Sequence, residues 1–593
     1  TSLYADGRGP SPFSPTRHWA RHFLTPVPVV SFSIAFAYRA DLGAKYAFDL
    51  EVNQRAPVLR KYRLRVDGSG SMSLWRAENG AMVQKAGTAN GVVPAKQQRW
   101  LRFQVDPGAA GHPLLHARVW SGGATAEPAT WNVEFTDDAD TLVRVHNFEL
   151  VADGPKGIQT WIDDLDAFGD KTQGISSSVP TIYIGEWSHL DIGFTLPPDD
   201  IEAYAKTHLD QVLQNLAADP SYRWTIEESW YLARWWERST PAEQQNLVNW
   251  LADGRLRLAA GYASLHTTTA GHEELTRNIY YAARFAREHG VPLRFWITDD
   301  VPGSSYAVPE ILARAGIDYY FGGMNTPFGG KLDHPNHGER PFWWQGPDGS
   351  RVLSWITFDS YAEAFDYGFS WFDTLDDMFR KMGKKLPEQE EAGYPYPELL
   401  LMRAFDNNYS GFKARDMVNA WNATYATPKF ELVTPDVFMD MMRRKYGDAA
   451  FPTFKGDFGC AWSNSHADAP HIESWVRQAH RQGRSAEALL AAGSTVDGGA
   501  VPQDRIDFLY RRELEVDEHS GAGGWPGYWD PEQMDRNNRI HVGYATDARD
   551  TASALLAEGL DRTAAQVPAA GDAIIVVNAL VRPRDGWVRA GLP

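Results

Sequence analysis

The chain has 593 residues and a formal net charge of −18 at pH 7, with 43% hydrophobic and 13% aromatic residues. Its length predicts several domains, and its negative charge argues against nucleic acid or an anionic membrane as a partner, since both need basic patches. A single cysteine, Cys460, excludes an intrachain disulfide and a thiolate zinc cluster, which leaves His and carboxylates to hold any metal.

The N-terminal region lacks the signature of a membrane anchor. No apolar run approaches the ~20 residues that a spanning helix needs. The longest candidate, from Val27 to Tyr38, alternates with Ser and predicts a strand. The chain starts at Thr1 with a Gly/Pro/Ser-rich stretch, which favours a mature secreted or periplasmic protein whose export signal has been removed.

Residues 1–175 are predicted to form a β-sandwich. Short alternating runs such as 62–66 and 100–105 are separated by turn residues. The stretches 116–131 and 161–165 resemble strands of concanavalin-like or laminin-G-like jelly rolls. Such modules often bind glycans, while others are structural appendages, and both interpretations stay open.

The pattern changes after this region. Apolar strands at 181–185, 293–297 and 399–402 alternate with helical stretches, which predicts an α/β domain with a mainly parallel sheet over 176–450. Helical periodicity then predicts a helical bundle over 451–570. A β-rich run at 574–577 predicts the beginning of a C-terminal β-sandwich in 571–593.

Two pairs of polar residues come at the ends of predicted strands. His189 and Asp191 follow the strand 181–185, and residues two apart in an extended segment project to the same side. Both can therefore meet one ion where α/β folds place ligands, although a surface turn is the alternative. Asp299 and Asp300 end an apolar run before a Pro-Gly turn. A carboxylate there serves as metal ligand, nucleophile or base, or else as a helix cap.

Two further places complete the set. Asp406 lies just beyond the strand 399–402, in the stretch Phe405-Asp406-Asn407-Asn408. His519 follows Asp517-Glu518 and precedes a Gly/Trp-rich loop. The alternative for His519 is a solvated side chain at an acidic helix end.

In this order and spacing, the four places resemble glycoside hydrolase family 38, the α-mannosidase family. The resemblance spans about 180 to 593 and leaves out the N-terminal β region. It implies that the α/β domain over 176–450 is a catalytic domain with a distorted β/α barrel, and that the helical bundle over 451–570 contributes to the active site. Its further markers are Arg223–Trp230, Arg234-Trp235-Trp236, Gly254-Arg255-Leu256, Pro302-Gly303, Pro309–Leu312, Pro341–Trp344, Gly346–Ser350 and Val577–Leu580.

The resemblance implies a metal site and a mechanism. Carried over from the family, His189, Asp191, Asp300 and His519 would bind Zn²⁺ or another divalent cation. Asp300 would also be the nucleophile of a retaining, exo-acting hydrolase of a glycan or polysaccharide, with Asp406 as acid/base. Asp299 is the alternative nucleophile if the alignment with the family motif is shifted by one residue.

Two departures from the family pattern concern specificity and mechanism. The family acid aligns with either Asp406 or Asn407, and the stretch 261–267 replaces a Trp-rich segment that reads the sugar. A polysaccharide-active enzyme of another type, such as a lyase, and a non-catalytic glycan-binding protein are therefore the alternative functions. The candidate substrate contacts are Trp187, Glu228, His266, Trp462, His466 and Trp525.

Overall fold

The computed structural model describes most of the chain and divides it into two compact units. The first unit contains residues 1–182, 366–398 and 419–430, and the second contains 183–365, 399–418 and 431–593. The description leaves out residues 1–2, 6–16, 30–31, 41–46, 55–59, 68, 79–80, 95–98, 108–111, 122–125, 139–144, 154–159, 169–173, 176, 268–269, 302, 326–339, 358–359, 408–410, 459–468, 522–529, 569–570, 572, 580–582 and 588–593.

Two six-stranded sheets form the N-terminal part of the first unit, in the orders β1-β12-β3-β8-β9-β10 and β2-β11-β4-β5-β6-β7. Their strands are β1 Leu3–Ala5, β2 Arg17–Val29, β3 Phe32–Ala40, β4 Ala47–Gln54, β5 Arg60–Asp67, β6 Met72–Glu78, β7 Ala81–Gly87, β8 Arg99–Pro107, β9 Pro113–Trp120, β10 Val133–Thr136, β11 Val145–Asp153 and β12 Thr160–Phe168.

Alternation of side chains explains these strands. In β8, Leu101, Phe103 and Val105 are fully buried, whereas Trp100, Arg102 and Gln104 are half-buried, because successive strand residues point to opposite faces. The Tyr62 hydroxyl of β5 donates a 2.9 Å hydrogen bond to Asp137 after β10, which joins the two sheets. The predicted all-β character is confirmed, and the jelly-roll assignment stays a prediction.

Strands and helices alternate from residue 181 onward. The strands are β13 Thr181–Glu186, β14 Trp224–Ile226, β15 Leu256–Leu258, β16 Phe295–Asp300, β17 Tyr319–Met324, β18 Phe342–Gln345, β19 Arg351–Ile356, β20 Glu398–Arg403, β21 Lys429–Val433 and β22 Thr453–Lys455. The helices are α1 Pro198–Ala218, α2 Ser229–Glu237, α3 Pro241–Asp253, α4 His272–Arg277, α5 Tyr280–His289, α6 Val308–Arg314, α7 Leu375–Glu391, α8 Lys413–Thr424, α9 Pro435–Tyr446, α10 Pro470–Asp497, α11 Gln503–Asp517 and α12 Pro531–Ala565.

The predicted parallel pairing is confirmed for most of these strands. β16, β17 and β19 run parallel in the sheet β16-β17-β19-β18-β22, and only β18 pairs with β19 in antiparallel fashion. Every residue of β16, β17 and β20 is buried, as expected for parallel strands covered on both faces.

The predicted distorted barrel is not found as one continuous ladder in the described residues. The strands form three sheets, the other two being β20-β13-β21 and β14-β15. Neighbouring sheets are linked at single residues: Trp187 bridges Thr225, and the Ala260 amide donates to the Phe295 carbonyl over 2.8 Å. Such single links interrupt the regular ladder that a closed barrel needs.

The predicted helical region is confirmed in α10, α11 and α12. Alanines and leucines of the three helices share one core, made of Ala479, Ala486, Leu490, Ile506, Leu509, Tyr510, Ala548, Ala552 and Leu555. At Gly559 a Cβ would lie 2.9 Å from the Leu489 Cβ, so a glycine is needed where α12 approaches α10. None of the described helices combines the length and apolar character needed to cross a membrane.

The strand predicted at 574–577 is wrong for the described structure. Residues 573–579 and 583–587 form neither helix nor strand, and Ile574 and Val576 are exposed. An isolated strand without a ladder partner leaves its amides and carbonyls unpaired, so an apolar run alone does not form one. The C-terminal β-domain stays a prediction.

Candidate metal centre and active site

His189 and Asp191 lie where the chain leaves β13. The His189 amide donates to the Phe405 carbonyl over 3.1 Å, and His189 forms an isolated parallel bridge with Asp406. The Asp191 amide donates to Asn407 Oδ1 over 3.4 Å. The segment after β20 therefore holds the backbone of both residues, and both side chains are buried.

Asp300 is the last residue of β16 and has a left-handed backbone, with φ of +67°. Such a conformation is uncommon outside glycine, is tolerated best by Asn and Asp, and is concentrated at functional sites. Asn325 Nδ2 donates to Asp300 Oδ1 over 2.7 Å and fixes the orientation of the carboxylate. The turn of the backbone separates Asp300 from Asp299, whose Oδ2 accepts a 2.6 Å hydrogen bond from the Trp187 indole.

His519 follows the end of α11. Glu518 adopts an extended backbone there and pairs with Leu265, while the His519 amide donates to the Ser264 carbonyl over 2.9 Å. His266 Nε2 lies 3.1 Å from the His519 carbonyl oxygen. The segment 264–266 thus positions His519 from both sides of its peptide group.

The four side chains meet at one point, although His189 and His519 are 330 residues apart. The two Nε2 atoms are 3.2 Å apart, and His519 Nε2 lies 3.3 Å from Asp191 Oδ1 and 3.3 Å from Asp300 Oδ2. One donor atom from each of the four residues lies within 4.8 Å of all the others. The structure therefore brings together the four candidate ligands that the sequence analysis named.

Carboxylates on the outer side of each ring determine the tautomers. His189 Nδ1 lies 3.1 Å from Glu227 Oε1, and His519 Nδ1 lies 2.6 Å from Glu518 Oε1. Glu227 hydrogen-bonds to His189 Nδ1, whereas Glu518 acts on His519 Nδ1 through its charge alone. Both carboxylates favour a proton on Nδ1, so in the neutral rings the two facing Nε2 atoms are both acceptors. Two lone pairs and two carboxylates facing one another repel unless a cation lies between them.

The electrostatics of the cluster agree with this interpretation. Burial opposes the charged form of His189, yet Glu227 and Asp191 raise its pKa well above the ordinary value. Burial likewise opposes ionisation of Asp191, yet hydrogen bonds with His189 and His519 lower its pKa. A negative potential that attracts protons to imidazoles equally attracts a divalent ion, and this donor set fits one.

Asp406 and Asn407 have different environments. Burial, reinforced by the charge of Asp191, raises the pKa of Asp406 to about 7, and the Tyr361 hydroxyl donates to its Oδ1. Asn407 has φ of +43°, and its Nδ2 donates to the Asp191 carbonyl over 3.3 Å and to the Thr195 hydroxyl. Asp406 is therefore suited to hold a proton near neutral pH, whereas Asn407 supports the backbone of Asp191.

The predicted substrate contacts are distributed unevenly. Trp187, Glu228 and His266 are fully buried beside the cluster, and burial together with Glu227 raises the pKa of Glu228 well above its ordinary value. Trp462, His466 and Trp525 lie outside the described residues. Sequence reasoning gave no role to Glu227, Glu518, Tyr361 or Asn325. Adjacency to His519 was the available signal for Glu518, and the Glu227-Glu228 pair after a strand was the signal for Glu227.

Comparison with known proteins shows what part of the chain is similar to. Residues 180–457 match the sequence model of the glycosyl hydrolases family 38 N-terminal domain. The match covers slightly less than half of the chain, and residues 180–457 are named the family 38 region after it. Three of the four clustered ligands, His189, Asp191 and Asp300, lie within the family 38 region, and His519 comes from beyond it.

Relatives of the family 38 region are distant and much longer. Human lysosomal α-mannosidase is 28% identical over 120 residues, covering 19% of this chain and 12% of that protein. Arabidopsis thaliana α-mannosidase 2 is 26% identical over 131 residues, covering 21% of this chain and 10% of that protein. The crystal structure of an α-mannosidase from Enterococcus faecalis V583 superposes with a TM-score of 0.54 at 16% identity, over 65% of this chain and 43% of that one, which shows a shared fold.

Proposed function

We propose that this chain is a retaining, divalent-metal-dependent glycoside hydrolase that removes terminal α-mannose-like sugars from a glycan. The observation that carries the proposal is the meeting of two imidazole Nε2 atoms and two carboxylates at one buried point. The α-mannosidases among the relatives favour an α-mannoside as the substrate. Two nitrogens and two oxygens form a donor set that suits Zn²⁺.

The two oxygens of Asp300 support separate tasks. Oδ2 lies 3.3 Å from His519 Nε2 and belongs to the ligand set, whereas Oδ1 accepts the hydrogen bond from Asn325. We assign Oδ1 to the attack on the anomeric carbon, which forms a glycosyl-enzyme ester as the glycosidic bond breaks. A divalent ion bound by the four ligands would supply Lewis-acid polarisation of sugar hydroxyls.

Asp406 is assigned as the acid/base. With a pKa raised to about 7 by burial, its carboxyl retains a proton that it can donate to the leaving oxygen in the first step. In the second step the resulting carboxylate takes a proton from water as water attacks the glycosyl ester. The Tyr361 hydroxyl engages Oδ1 of Asp406, which leaves Oδ2 for the transferred proton.

Asp300→Asn tests the nucleophile, because Asn tolerates the left-handed backbone and preserves the shape of the side chain. We expect kcat on an activated aryl α-mannoside to fall by on the order of 10³-fold or more. Asp299→Asn is the matched control. Burial raises the pKa of Asp299 well above its ordinary range, so its neutral form resembles an amide, and this variant should retain turnover.

Other outcomes would redirect the assignment. Normal turnover by Asp300→Asn together with a loss of turnover in Asp299→Asn would show that Asp299 is the nucleophile and would contradict the assignment of Asp300. An initial product with inverted configuration by NMR would contradict retention. Ultraviolet absorbance from an unsaturated sugar would indicate a lyase, and glycan binding without turnover would indicate a non-catalytic protein.

A further inference from the structure

A second cluster of potential ligands is buried away from the first. Glu274 lies on α4, His480 on α10 and Glu513 on α11, and one donor atom from each lies within 4.8 Å of the others. Glu274 and Glu513 are 0% exposed and His480 is 4% exposed. The cluster shares no residue with the site formed by His189, Asp191, Asp300 and His519.

The carboxylates of this cluster are unsatisfied. Neither Oε atom of Glu513 has a hydrogen-bond partner among the described residues, and no other described residue bonds the carboxylate of Glu274. Removing a carboxylate from water without a hydrogen-bond donor or a cation beside it costs roughly several kcal/mol of free energy. Native structures therefore seldom retain two such groups side by side without a ligand.

The surrounding charges compensate for these carboxylates only in part. Burial opposes the charged form of His480, yet Asp517 and Glu513 raise its pKa to about 9, so one imidazolium faces the carboxylates of the group. His480 Nε2 lies 3.0 Å from Asp517 Oδ2, which adds a third buried carboxylate to the group. Arg484 is the nearest cationic side chain on α10, but it is exposed and its Nε donates to the His480 carbonyl over 3.0 Å. Burial raises the pKa of Glu513 well above its usual value, and it also raises that of Glu274.

Two glycines leave room for the carboxylates. A Cβ on Gly271 would lie 2.0 Å from Glu274 Oε2, a separation that no side chain could accept. A Cβ on Gly483 would lie 3.4 Å from Glu513 Oε1 and 2.8 Å from Leu509 Cδ2. The local sequence thus allows both carboxylates to reach a common point between the helices.

We propose that Glu274, His480 and Glu513 bind a second divalent cation that links α4, α10 and α11. Two carboxylates and one imidazole form a hard-to-borderline donor set that suits Zn²⁺ or Mn²⁺. Neutral His480 would then ligate, and two positive charges would offset most of the charge of Glu274, Glu513 and Asp517. The ion holds α11, which ends just before Glu518 and His519, against α4, which follows the segment 264–266 that positions His519.

Metal content tests the second site directly, independently of activity. The full chain, purified without chelator and dialysed against metal-free buffer, is expected to contain close to two divalent ions per chain by plasma mass spectrometry. Glu513→Gln and Glu274→Gln should each reduce the content to about one ion. His519→Ala should also leave about one ion, and Glu513→Gln combined with His519→Ala should leave none.

Glu487→Gln is the matched control, because Glu487 lies on α10 but pairs with Arg277 outside the cluster. It should keep two ions. A single ion in the unmodified chain that is unchanged in Glu513→Gln and lost in His519→Ala would overturn the second site and leave the proposed function standing. Two ions per chain in an unmodified protein without turnover would support the second site and contradict the proposed function.

Anomalous diffraction from the unmodified protein removes any dependence on whether variants fold. A peak among Glu274, His480 and Glu513 at the absorption edge of the metal would support the proposal. A peak confined to the His189–His519 site in crystals grown with Zn²⁺ or Mn²⁺ would overturn it.

Discussion

His208 shows that a buried histidine can be a neutral core residue and not a ligand. It lies on α1 among aromatic rings, with Trp224 at 5.4 Å and Tyr204 at 5.3 Å between ring centroids. Its Nδ1 is 2.8 Å from the Tyr231 hydroxyl, and burial lowers its pKa to about 3. At His189 and His519 nearby carboxylates outweigh burial, so neighbours and not burial alone distinguish a ligand from a core histidine.

The depressed pKa of His208 predicts acid lability. The unfolded chain takes up a proton near the ordinary histidine pKa of 6.5 and the folded chain only near 3, so stability present above pH 6.5 is lost as pH falls toward 3. At pH 5 the loss is about 2 kcal/mol. We expect His208→Gln to reduce the fall in urea midpoint between pH 7 and pH 5. Equal falls in the variant and the unmodified protein would refute this account.

At the scale of elements, α12 supports the loop that carries Asp191. Gly193, two residues after Asp191, has φ of +117°. A Cβ there would lie 2.5 Å from Asn537 Oδ1 and 2.7 Å from His541 Cε1, both on α12. The helical region therefore contributes to the metal site through the shape of its surface as well as through His519.

Gly193→Ala should weaken metal binding without removing a ligand. The new methyl group must displace either α12 or the loop, and we expect the dissociation constant for Zn²⁺ to rise about tenfold, which corresponds to about 1.4 kcal/mol. Competition with a fluorescent chelator measures this constant. Gly543→Ala is the control, because its Cβ meets nothing within 4 Å and the change should stabilise α12 by up to about 1 kcal/mol. Unchanged affinity in Gly193→Ala would show that the loop adapts freely.

Strand positions show how much the sequence could predict at this scale. The apolar run placed a strand at 293–297, whereas β16 spans Phe295–Asp300 and includes both carboxylates. Hydrophobicity marks the apolar part of a strand and is silent on polar residues that continue its ladder. The positive φ of Asp300 was equally hidden, because a Pro-Gly pair indicates a turn but not which residue before it reverses the backbone.

At the scale of the whole molecule, the proposed metal site joins distant parts of the chain. Its ligands come from the end of β13, the end of β16 and the segment after α11. An ion bound by all of them stabilises the folded chain by mass action, since the unfolded chain does not bring the ligands together.

Chelation should therefore lower both activity and thermal stability. At an ion concentration about 100 times the dissociation constant, the stabilisation is about 2.7 kcal/mol. We expect EDTA to lower the Tm by several degrees by calorimetry and to abolish turnover, and added Zn²⁺ to restore both. His519→Ala should show a smaller shift on chelation. An unaltered Tm together with full activity in EDTA would contradict metal dependence.

The ordered motifs allowed the four clustered residues to be named together as candidate ligands, whereas the residues that support them could not be predicted. Glu227 and Glu518 adjoin named motifs, but Tyr361 and Asn325 come from segments without any pattern and reach the site only through the packing of the sheet. The Glu274, His480 and Glu513 cluster is equally invisible in the sequence. It depends on how three helices rotate about their axes, which no spacing along the chain records.

The left-handed backbones of Asp300 and Asn407 limit which amino acids can occupy these positions. They are the non-glycine residues with positive φ in the described part of the chain. Most side chains lose about 1–2 kcal/mol there, while Gly, Asn and Asp lose less. Among random codons at either position, soluble folded clones should be enriched in these three amino acids. A single base change that converts Asp300 to Asn or Gly would thus remove the proposed nucleophile and leave the protein folded. Loss of catalysis at this position therefore need not be accompanied by a loss of stability.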